Sequence, residues 1–440
     1  MKRRIATIMA LVLAGALLCL NGCGSPAAEP TPSPEPEPTP QVLLYDGREL
    51  GEGTRQITLG PDSSVEELAA LSQLLPQLEE IDFGSREPKS GELALLMESF
   101  PGAALTYSVS IAGQSVPNST EELDLSGLTK AEAEKAAEAI RLLPALAFVD
   151  LGSASEDEGA LTLEDVGLLQ EARPDVTFDF SFEIFGRTVS TADEVLDFSK
   201  ISMSDGGQAV RAILPYMTRC TYLDMDSCRV SNEDMAAIRD DFPQIKVVWR
   251  IYFDIYSVRT DVEKILASVR GQNMDYEDVE VLKYCTDVKY LDLGHNTIED
   301  ISFVSYMPNL EVAILAINYW SDATPLASCK NLEYLEVFNT QLTDLTPLAE
   351  LTNLKHLNVS FLKNLEDITP LYGLTNLERL WIGCWNNVPE EQIETIRELL
   401  PDCEINSTTL APVSEGWRSH ERYELLREQF GYDEGAYSFK

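Results

Sequence analysis

Basic residues are scarce in this chain. It contains 33 Lys and Arg against 73 Asp and Glu, which gives a formal net charge of −40 at pH 7. Nucleic acids and anionic lipid surfaces attract clustered positive charge. The imbalance therefore predicts that the protein binds neither nucleic acid nor an anionic lipid surface directly.

Catalytic and metal-binding motifs are absent as well. The sequence has only three histidines, His295, His356 and His420, and no HExxH, GxSxG or phosphate-binding glycine loop. It also has no CxxC or Cys/His spacing of the kind that binds zinc. We therefore predict a protein that is not an enzyme and that uses no cofactor or metal.

Long apolar runs are confined to the N-terminus. Basic residues at positions 2–4 precede an apolar run from Ile5 to Leu20, which is typical of a secretory signal peptide and short for a membrane span. The run ends in Leu20-Asn21-Gly22-Cys23, which resembles the cleavage box of bacterial lipoproteins. The resemblance implies that residues 1–22 are removed and that Cys23 carries lipid. The alternative is an ordinary secreted protein.

Residues 23–41 form a predicted tether. Seven of the fifteen residues from Pro26 to Pro40 are proline, interleaved with Glu, Thr and Ser. This composition cannot build a core and favours extended polyproline II. At about 3.1 Å per residue, such a segment holds the following domain roughly 45 Å from its anchor.

A repeat of about 22 residues dominates the C-terminal part of the chain. Its units begin at Val288, Leu310, Leu332, Leu354 and Leu377, so successive starts are 22, 22, 22 and 23 residues apart. The units follow the pattern L-x-x-L-x-L-x-x-N, with departures such as Ala313 at a core position of the second unit and Thr340 in place of the Asn in the third. This period and spacing are typical of leucine-rich repeats. No unit buries its apolar residues alone, so neighbouring units stack around one core and their short strands pair in parallel.

The run L-T-D-L-T-P-L-A-E-L-T-N-L, residues 342–354, resembles the repeats of internalin-type bacterial surface proteins. The resemblance covers roughly the last third of the chain. It implies a curved solenoid whose concave sheet binds another protein. We assign residues 284–405 to regular leucine-rich repeats with a C-terminal cap that includes a helix over 390–400. Residues 406–440 form a tail that either packs back on the solenoid or frays.

A weaker repeat occupies residues 42–283. Short strand patterns such as L-D-L-S and V-D-L-G recur, and helical stretches separate many of them. One predicted helix, Ala131 to Leu143, is rich in Ala and Glu and ends at Pro144. Capping boxes are predicted to begin at Ser64, Thr129 and Thr191.

The same region also repeats with a longer period. Three similar segments begin at Pro101, Pro174 and Pro243, 73 and 69 residues apart, and Gly113 and Gly186 are placed to turn hairpins. We therefore predict an α/β solenoid in which divergent, helix-containing repeats precede the regular ones. The alternative is a separate α/β domain joined near Ser257–Gln272.

The cysteines are predicted to be buried free thiols. Cys285 and Cys329 occupy the same repeat position two units apart, about 10 Å by strand spacing, which exceeds the roughly 7 Å Cα limit for a disulfide. For Cys384 and Cys403 a disulfide stays open.

Aspartates recur at one strand position. They form either a carboxylate ladder for a cation or only the solvent-facing side of the strands. These aspartates are Asp124, Asp150, Asp197, Asp224 and Asp292.

Side chains that point away from the core of the regular repeats are candidate partner-binding residues. Stability of the strands does not require large aromatic residues there, and exposed apolar patches rich in Tyr and Trp often mark interfaces. The alternative is that the C-terminal tail covers them. The candidates are Tyr290, His295, Ile314, Tyr334, Phe338, His356, Phe361 and Trp381.

These patterns lead to one functional hypothesis and one alternative. The hypothesis is a lipid-anchored protein on the extracellular face of the bacterial cell membrane that binds a protein or peptide. The alternative is an envelope structural protein or the recognition component of a carbohydrate-handling system.

Overall fold

A computed structural model describes residues 43–155, 157–268, 273–383, 385–408, 410–414 and 416–432. The predicted signal peptide, Cys23 and the tether lie outside these residues. The chain divides into two compact units, Met1–Tyr107 and Ser108–Lys440. The boundaries predicted at residues 283 and 405 stay predictions.

The first unit combines a short hairpin with a small parallel sheet. Strands β1 and β2 pair antiparallel, whereas β3, β4 and β5 pair in parallel, with Ile57, Ile81 and Leu105 in register. Ser64 caps the first helix by accepting a hydrogen bond from the Glu67 amide. The elements are β1 (Leu43–Tyr45), β2 (Arg48–Leu50), β3 (Gln56–Thr58), α1 (Val65–Ala70), β4 (Glu80–Asp82), α2 (Ser90–Ser99) and β5 (Ala104–Thr106).

The second unit begins with strand–helix repeats that end in hairpins. Strands β8, β9 and β10 are parallel, and β11 returns antiparallel to β10. Gly113 and Gly186 have φ of 76° and 71° in their turns, which confirms both predicted hairpins. The elements are β6 (Ser108–Ile111), β7 (Gln114–Pro117), β8 (Glu122–Asp124), α3 (Ala133–Ile140), β9 (Phe148–Ala154), α4 (Leu163–Ala172), β10 (Thr177–Ile184) and β11 (Arg187–Ser190).

A second set of the same design follows. Strands β12, β13 and β14 are parallel, and β15 and β16 form the closing hairpin. The prediction of divergent, helix-containing repeats is therefore confirmed. The elements are β12 (Val195–Asp197), α5 (Gln208–Ile213), β13 (Tyr222–Asp224), α6 (Asn232–Asp241), β14 (Lys246–Val248), β15 (Arg250–Phe253) and β16 (Tyr256–Arg259).

Local predictions in these repeats had mixed outcomes. The predicted helix is α3, preceded by a 3-10 turn over Lys130–Glu132 that carries the Thr129 capping box. The capping box predicted at Thr191 is wrong. The Thr191 hydroxyl instead accepts a hydrogen bond from the Phe180 amide at 3.0 Å, because the chain beyond β11 still runs beside β10.

The regular repeats form a seven-stranded parallel sheet. Its first strand, β17, lies before the boundary predicted at residue 284. The sheet consists of β17 (Lys264–Leu266), β18 (Tyr290–Asp292), β19 (Val312–Ile314), β20 (Tyr334–Glu336), β21 (His356–Asn358), β22 (Arg379–Trp381) and β23 (Glu404–Asn406).

The convex side of these repeats consists of short helical turns. Each Thr-Pro-Leu run begins a 3-10 helix, and an aspartate two residues earlier accepts its first amide, as Asp344 does from Thr346 at 2.8 Å. Proline is tolerated because this backbone joins no strand ladder. The convex elements are α7 (Tyr276–Val279), the 3-10 helices Glu280–Tyr284, Ser302–Tyr306, Thr324–Ser328, Thr346–Leu348 and Thr369–Gly373, and α8 (Glu390–Leu399), the predicted capping helix.

The register of the regular repeats agrees with the prediction. Leu335, Leu357 and Leu380 are adjacent across the sheet and fully buried. Asn296 and Asn318 lie in the turn after their strands and donate to buried carbonyls, including that of Leu293, at 3.0 Å. The repeat pattern therefore specifies both the shared core and the polar turn that follows each strand.

Four of the described cysteines are buried free thiols, as predicted. Cys220, Cys228, Cys285 and Cys329 are free and buried, and desolvation raises the pKa of Cys285 to about 12. Cys403 is also a free thiol, and Cys384, with which the sequence left a disulfide open, lies outside the described residues.

The recurring aspartates satisfy backbone amides rather than forming a cation ladder. Asp124, Asp150 and Asp197 each accept from the amide two residues later, at 2.8–2.9 Å. Among the residues that the structure describes, no group of His, Cys, Asp and Glu is arranged to hold a metal. Within the same residues, no helix has both the length and the apolar character needed to cross a bilayer.

Candidate functional site

The chain's own C-terminal segment covers the concave face of the regular repeats. We call residues 410–414 and 416–432 the C-terminal segment, and the side of β17–β23 that faces it the concave face. The segment contains α9 (Glu421–Phe430), whose Tyr423, Leu426 and Phe430 are buried. Together with Trp417 they form one apolar cluster with residues of the concave face such as Ile314, Tyr334 and Trp381.

Helix α9 forms for reasons that are visible in its sequence. The His420 ring nitrogen caps it by accepting from the Arg422 amide at 3.1 Å, and Gly431 ends it with φ of 75°. The buried residues recur at i, i+3 and i+7, which places them on one face. This spacing and the final glycine are signals that the sequence analysis missed.

Trp417 is the centre of the contact. Its ring lies 5.1 Å from that of Trp381 and 5.5 Å from that of Tyr334. The Arg379 guanidinium lies 4.6 Å from the Trp381 ring centroid and 5.0 Å from that of Trp417. Arg379 also donates to the Trp417 carbonyl at 3.3 Å, and to Glu404 at 3.0 Å. Stacking of a cation on aromatic rings is strongest where water is excluded.

A buried carboxyl group recognises the Trp417 indole. Glu336 is fully buried and accepts a hydrogen bond from Trp417 Nε1 at 2.8 Å and another from the Tyr334 hydroxyl. Arg418 Nη2 lies 4.0 Å from the second carboxyl oxygen. Burial raises the pKa of the Glu336 carboxyl, because removal from water disfavours the charged form.

A second buried carboxyl group contacts the end of the segment. Asp292 accepts from the Ser268 hydroxyl at 2.8 Å, from the Gly294 amide at 3.0 Å and from the Tyr432 hydroxyl. Burial raises the pKa of Asp292 as well. Tyr432 ties the last described residues of the segment to the sheet.

Main-chain groups of the segment are also bound. Asn358 Nδ2 donates to the Pro412 carbonyl at 2.6 Å, and Trp381 Nε1 donates to the Ser414 carbonyl at 3.3 Å. These bonds hold the turns that precede α9 through main-chain carbonyls, regardless of the side chains there.

His356 is a packing residue rather than a ligand. Its ring lies 5.4 Å from that of His420, and its Nδ1 has no hydrogen-bond partner among the described residues. Desolvation, with the nearby Arg379 charge, lowers the pKa of His356 to about 3. The ring is therefore neutral at physiological pH.

Most of the candidate partner-binding residues are thus buried. The expectation of an exposed face is wrong for Ile314, Tyr334, Phe338, His356 and Trp381, which are at most 7% exposed. The predicted alternative, a tail that packs back, describes their environment. Tyr290 is half-buried beside Phe430, with ring centroids 6.2 Å apart. The role of the candidate residues in binding a partner stays a prediction.

The two remaining candidates lie where the strands end. His295 and Phe361 have φ of 63° and 58°, as do Ile317 and Asn339 at the corresponding positions with 55° and 53°. The candidate residues, which were predicted to share one surface, therefore lie on two: the concave face and this edge of the sheet.

A groove of about 350 Å³ lies in the loops at this edge. We call it the exit groove. Trp385, 66% exposed, contacts Phe361 with ring centroids 5.7 Å apart, and the Lys363 ammonium group lies 5.6 Å from the Trp385 ring. The sequence analysis did not identify Trp385 or Tyr319 as candidates. The exit groove is lined by Tyr319, Asn339, Gln341, Phe361, Lys363 and Asn364, together with deeper turn residues.

Comparison with known proteins supports the repeat assignment. Residues 330–372 match the family model described as leucine-rich repeats (2 copies), which confirms the repeats predicted there. No curated protein matches the chain.

Solved structures of repeat proteins are similar to this chain. An internalin (InlF) from Listeria monocytogenes is 19% identical, with 77% of this chain and 78% of that chain covered and a TM-score of 0.31. A leucine-rich-repeat protein of Leptospira interrogans is 17% identical, with 81% and 93% covered and a TM-score of 0.31. At these TM-scores and identities the likeness carries no conclusion about this chain, whose repeats rest on the family match and on the sheet described above.

Proposed function

We propose that this leucine-rich-repeat protein is a non-catalytic binding protein whose concave face recognises a polypeptide. In the proposal, lipid on Cys23 anchors it at the extracellular face of a bacterial cell membrane. The observation that supports the binding role is the C-terminal segment itself. A face that holds a tryptophan, the main-chain carbonyls of a turn and a helix with one buried face has the chemistry that a polypeptide ligand requires.

The contacts explain how such a ligand is recognised. The concave face supplies an aromatic and cationic pocket for an indole ring, and Glu336 accepts the indole N–H. Asn358 and Trp381 donate to main-chain carbonyls. Main-chain hydrogen bonds supply affinity, whereas a buried aromatic anchor supplies specificity. The expected ligand therefore presents a tryptophan or tyrosine next to a helix with one apolar face.

A partner must compete with the C-terminal segment. The segment belongs to the same chain, so its effective concentration at the face is high, of the order of millimolar for short flexible linkers. The chain with its segment released should therefore bind a partner more tightly than the intact chain.

Binding to a panel of purified host extracellular proteins tests this proposal. The soluble chain from Gln41 to Lys440 and its Trp417→Ala variant are immobilised, and the variant should bind its partner more tightly. A synthetic peptide of residues 410–432 should displace that partner, whereas the same peptide with Trp417→Ala should not. Equal binding to both chains, together with no displacement by either peptide, would show that the concave face is not the site.

The anchoring part of the proposal rests on the sequence of residues 1–41 and is tested separately through Cys23 below. Of the alternatives, an envelope structural role stays a hypothesis without a specific structural observation. Recognition of a carbohydrate is favoured by the exit groove.

A further inference from the structure

We propose that the exit groove binds a neutral glycan. This site is separate from the concave face and does not depend on the proposed function. Three features lead to it: exposed aromatic rings in and beside the groove, side-chain amides with unused hydrogen-bonding capacity, and a lining that is almost uncharged.

The aromatic rings have no role in the core. Trp385 and Tyr319 are 66% and 54% exposed, although aromatic side chains are normally used to bury apolar area. The other four tryptophans, Trp249, Trp320, Trp381 and Trp417, are at most 3% exposed. Tyr319 lines the groove, and Trp385 lies beside it against the lining residues Phe361 and Lys363. Exposed aromatic rings of this kind mark a surface that gains apolar contact when a ligand binds.

The amides of the groove fall into two classes. Asn296 and Asn318 are buried and hold the turn backbone, as described above. Asn339, Gln341 and Asn364 are exposed, and their side-chain amides make no hydrogen bond to any of the residues described here. Each amide offers two donors and one acceptor, which matches a ligand that carries many hydroxyl groups.

The charge of the lining selects a neutral ligand. Of the residues that line the groove, Lys363 is the one with a charged side chain, in a chain with formal net charge −40. Its ammonium group already lies beside the Trp385 ring. A sugar ring offers an apolar C–H face for stacking on an aromatic ring and hydroxyl groups for the amides. The volume of about 350 Å³ falls in the range of small-ligand sites, about 300–1,000 Å³.

Affinity electrophoresis of the soluble chain from Gln41 to Lys440 tests the proposal. The probes are neutral polysaccharides with different backbones: a mixed-linkage β-glucan, a galactan, a mannan and a soluble glycol-chitin. At least one of them should retard the protein. Trp385→Ala should weaken the interaction at least about fivefold, and Gln341→Ala should weaken it too, whereas Trp385→Phe should retain most of it.

Tyr252→Ala is the matched control. Tyr252 is 65% exposed, like Trp385, but it lies on β15, outside the groove. Its replacement should leave retardation unchanged. An equal loss in Tyr252→Ala and Trp385→Ala would point to nonspecific adhesion and would overturn the assignment.

Fluorescence gives an independent readout of the site. Because the other tryptophans are buried, quenching by acrylamide reports mainly on Trp385. A retarding glycan should protect this fluorescence from the quencher. The proposal is overturned if none of the polysaccharides retards the protein. It is also overturned if a synthetic proline-rich peptide of residues 26–40 protects Trp385 from the quencher and no glycan does.

Discussion

Replacing Trp417 by Ala should release the C-terminal segment from the concave face while leaving the repeats folded. The side chain is fully buried and contacts the rings of Tyr334 and Trp381. Its indole also donates to the buried Glu336 carboxyl group. The substitution therefore removes an aromatic contact and a hydrogen-bond donor at once.

The expected loss can be estimated from these contacts. Truncation of a buried aromatic residue to Ala costs about 3–5 kcal/mol, and loss of a donor to a buried acceptor can cost about 1–3 kcal/mol. The two are not additive, so we take about 3–5 kcal/mol. Since about 1.4 kcal/mol corresponds to a tenfold change, the docking equilibrium should fall by roughly 10² to several times 10³.

The loss should be local. The core residues Leu335, Leu357 and Leu380 lie in the shared core of the repeats and do not belong to the cluster that Trp417 joins. In stacked repeats each unit is stabilised by its neighbours, and peripheral segments open with much smaller free energies than the core. The segment should therefore dissociate before the solenoid unfolds.

Limited proteolysis with mass spectrometry measures this release. Cleavage within residues 410–432 should accelerate strongly in Trp417→Ala, with an intermediate effect in Trp417→Phe, and the main melting transition should change little. Trp385→Ala is the matched control, because it removes an exposed tryptophan away from the segment. The reasoning is refuted if cleavage of the segment is unchanged, or if the whole chain melts early in one transition.

Three further predictions follow from the core, the buried carboxyl groups and the predicted anchor. Leu357→Ala should lower the free energy of unfolding by about 2–5 kcal/mol because it leaves a cavity between adjacent units, and a loss under about 0.5 kcal/mol in chemical denaturation would contradict the register. Burial raises the pKa of Glu336 and Asp292, so the docked state binds protons more tightly than the released state. Docking of the segment should be strongest at pH values below the ordinary pKa of a carboxyl group. It should weaken as the pH rises through the raised pKa values of Glu336 and Asp292. Acrylamide quenching in a Trp385→Phe background measures this change, which Glu336→Gln should reduce. Cys23→Ala should leave the protein uncleaved or release it from the membrane fraction. An unchanged mature mass and unchanged membrane fractionation would contradict the lipid anchor.

The sequence predicted the elements that depend on short-range pattern. Apolar residues recur every 22 residues, and one unit buries them only by stacking on the next, so the parallel sheet and the buried Leu335 follow directly. The hairpins at Gly113 and Gly186 follow from local turn chemistry in the same way. Thr191 shows the limit of such patterns, because its capping signature lies where the chain still pairs with β10.

The tertiary structure alone decided what covers the concave face. Tyr334 and Trp381 alternate outward from the core by strand geometry, but that geometry is satisfied equally by solvent, by a partner or by the chain itself. The deciding bond joins Trp417 to Glu336 across 81 residues, and no periodicity in the sequence connects the two. A contact of this kind depends on where the returning chain lies over the folded sheet. Only the tertiary structure therefore shows that Trp417 is buried on the concave face and that Trp385 is exposed.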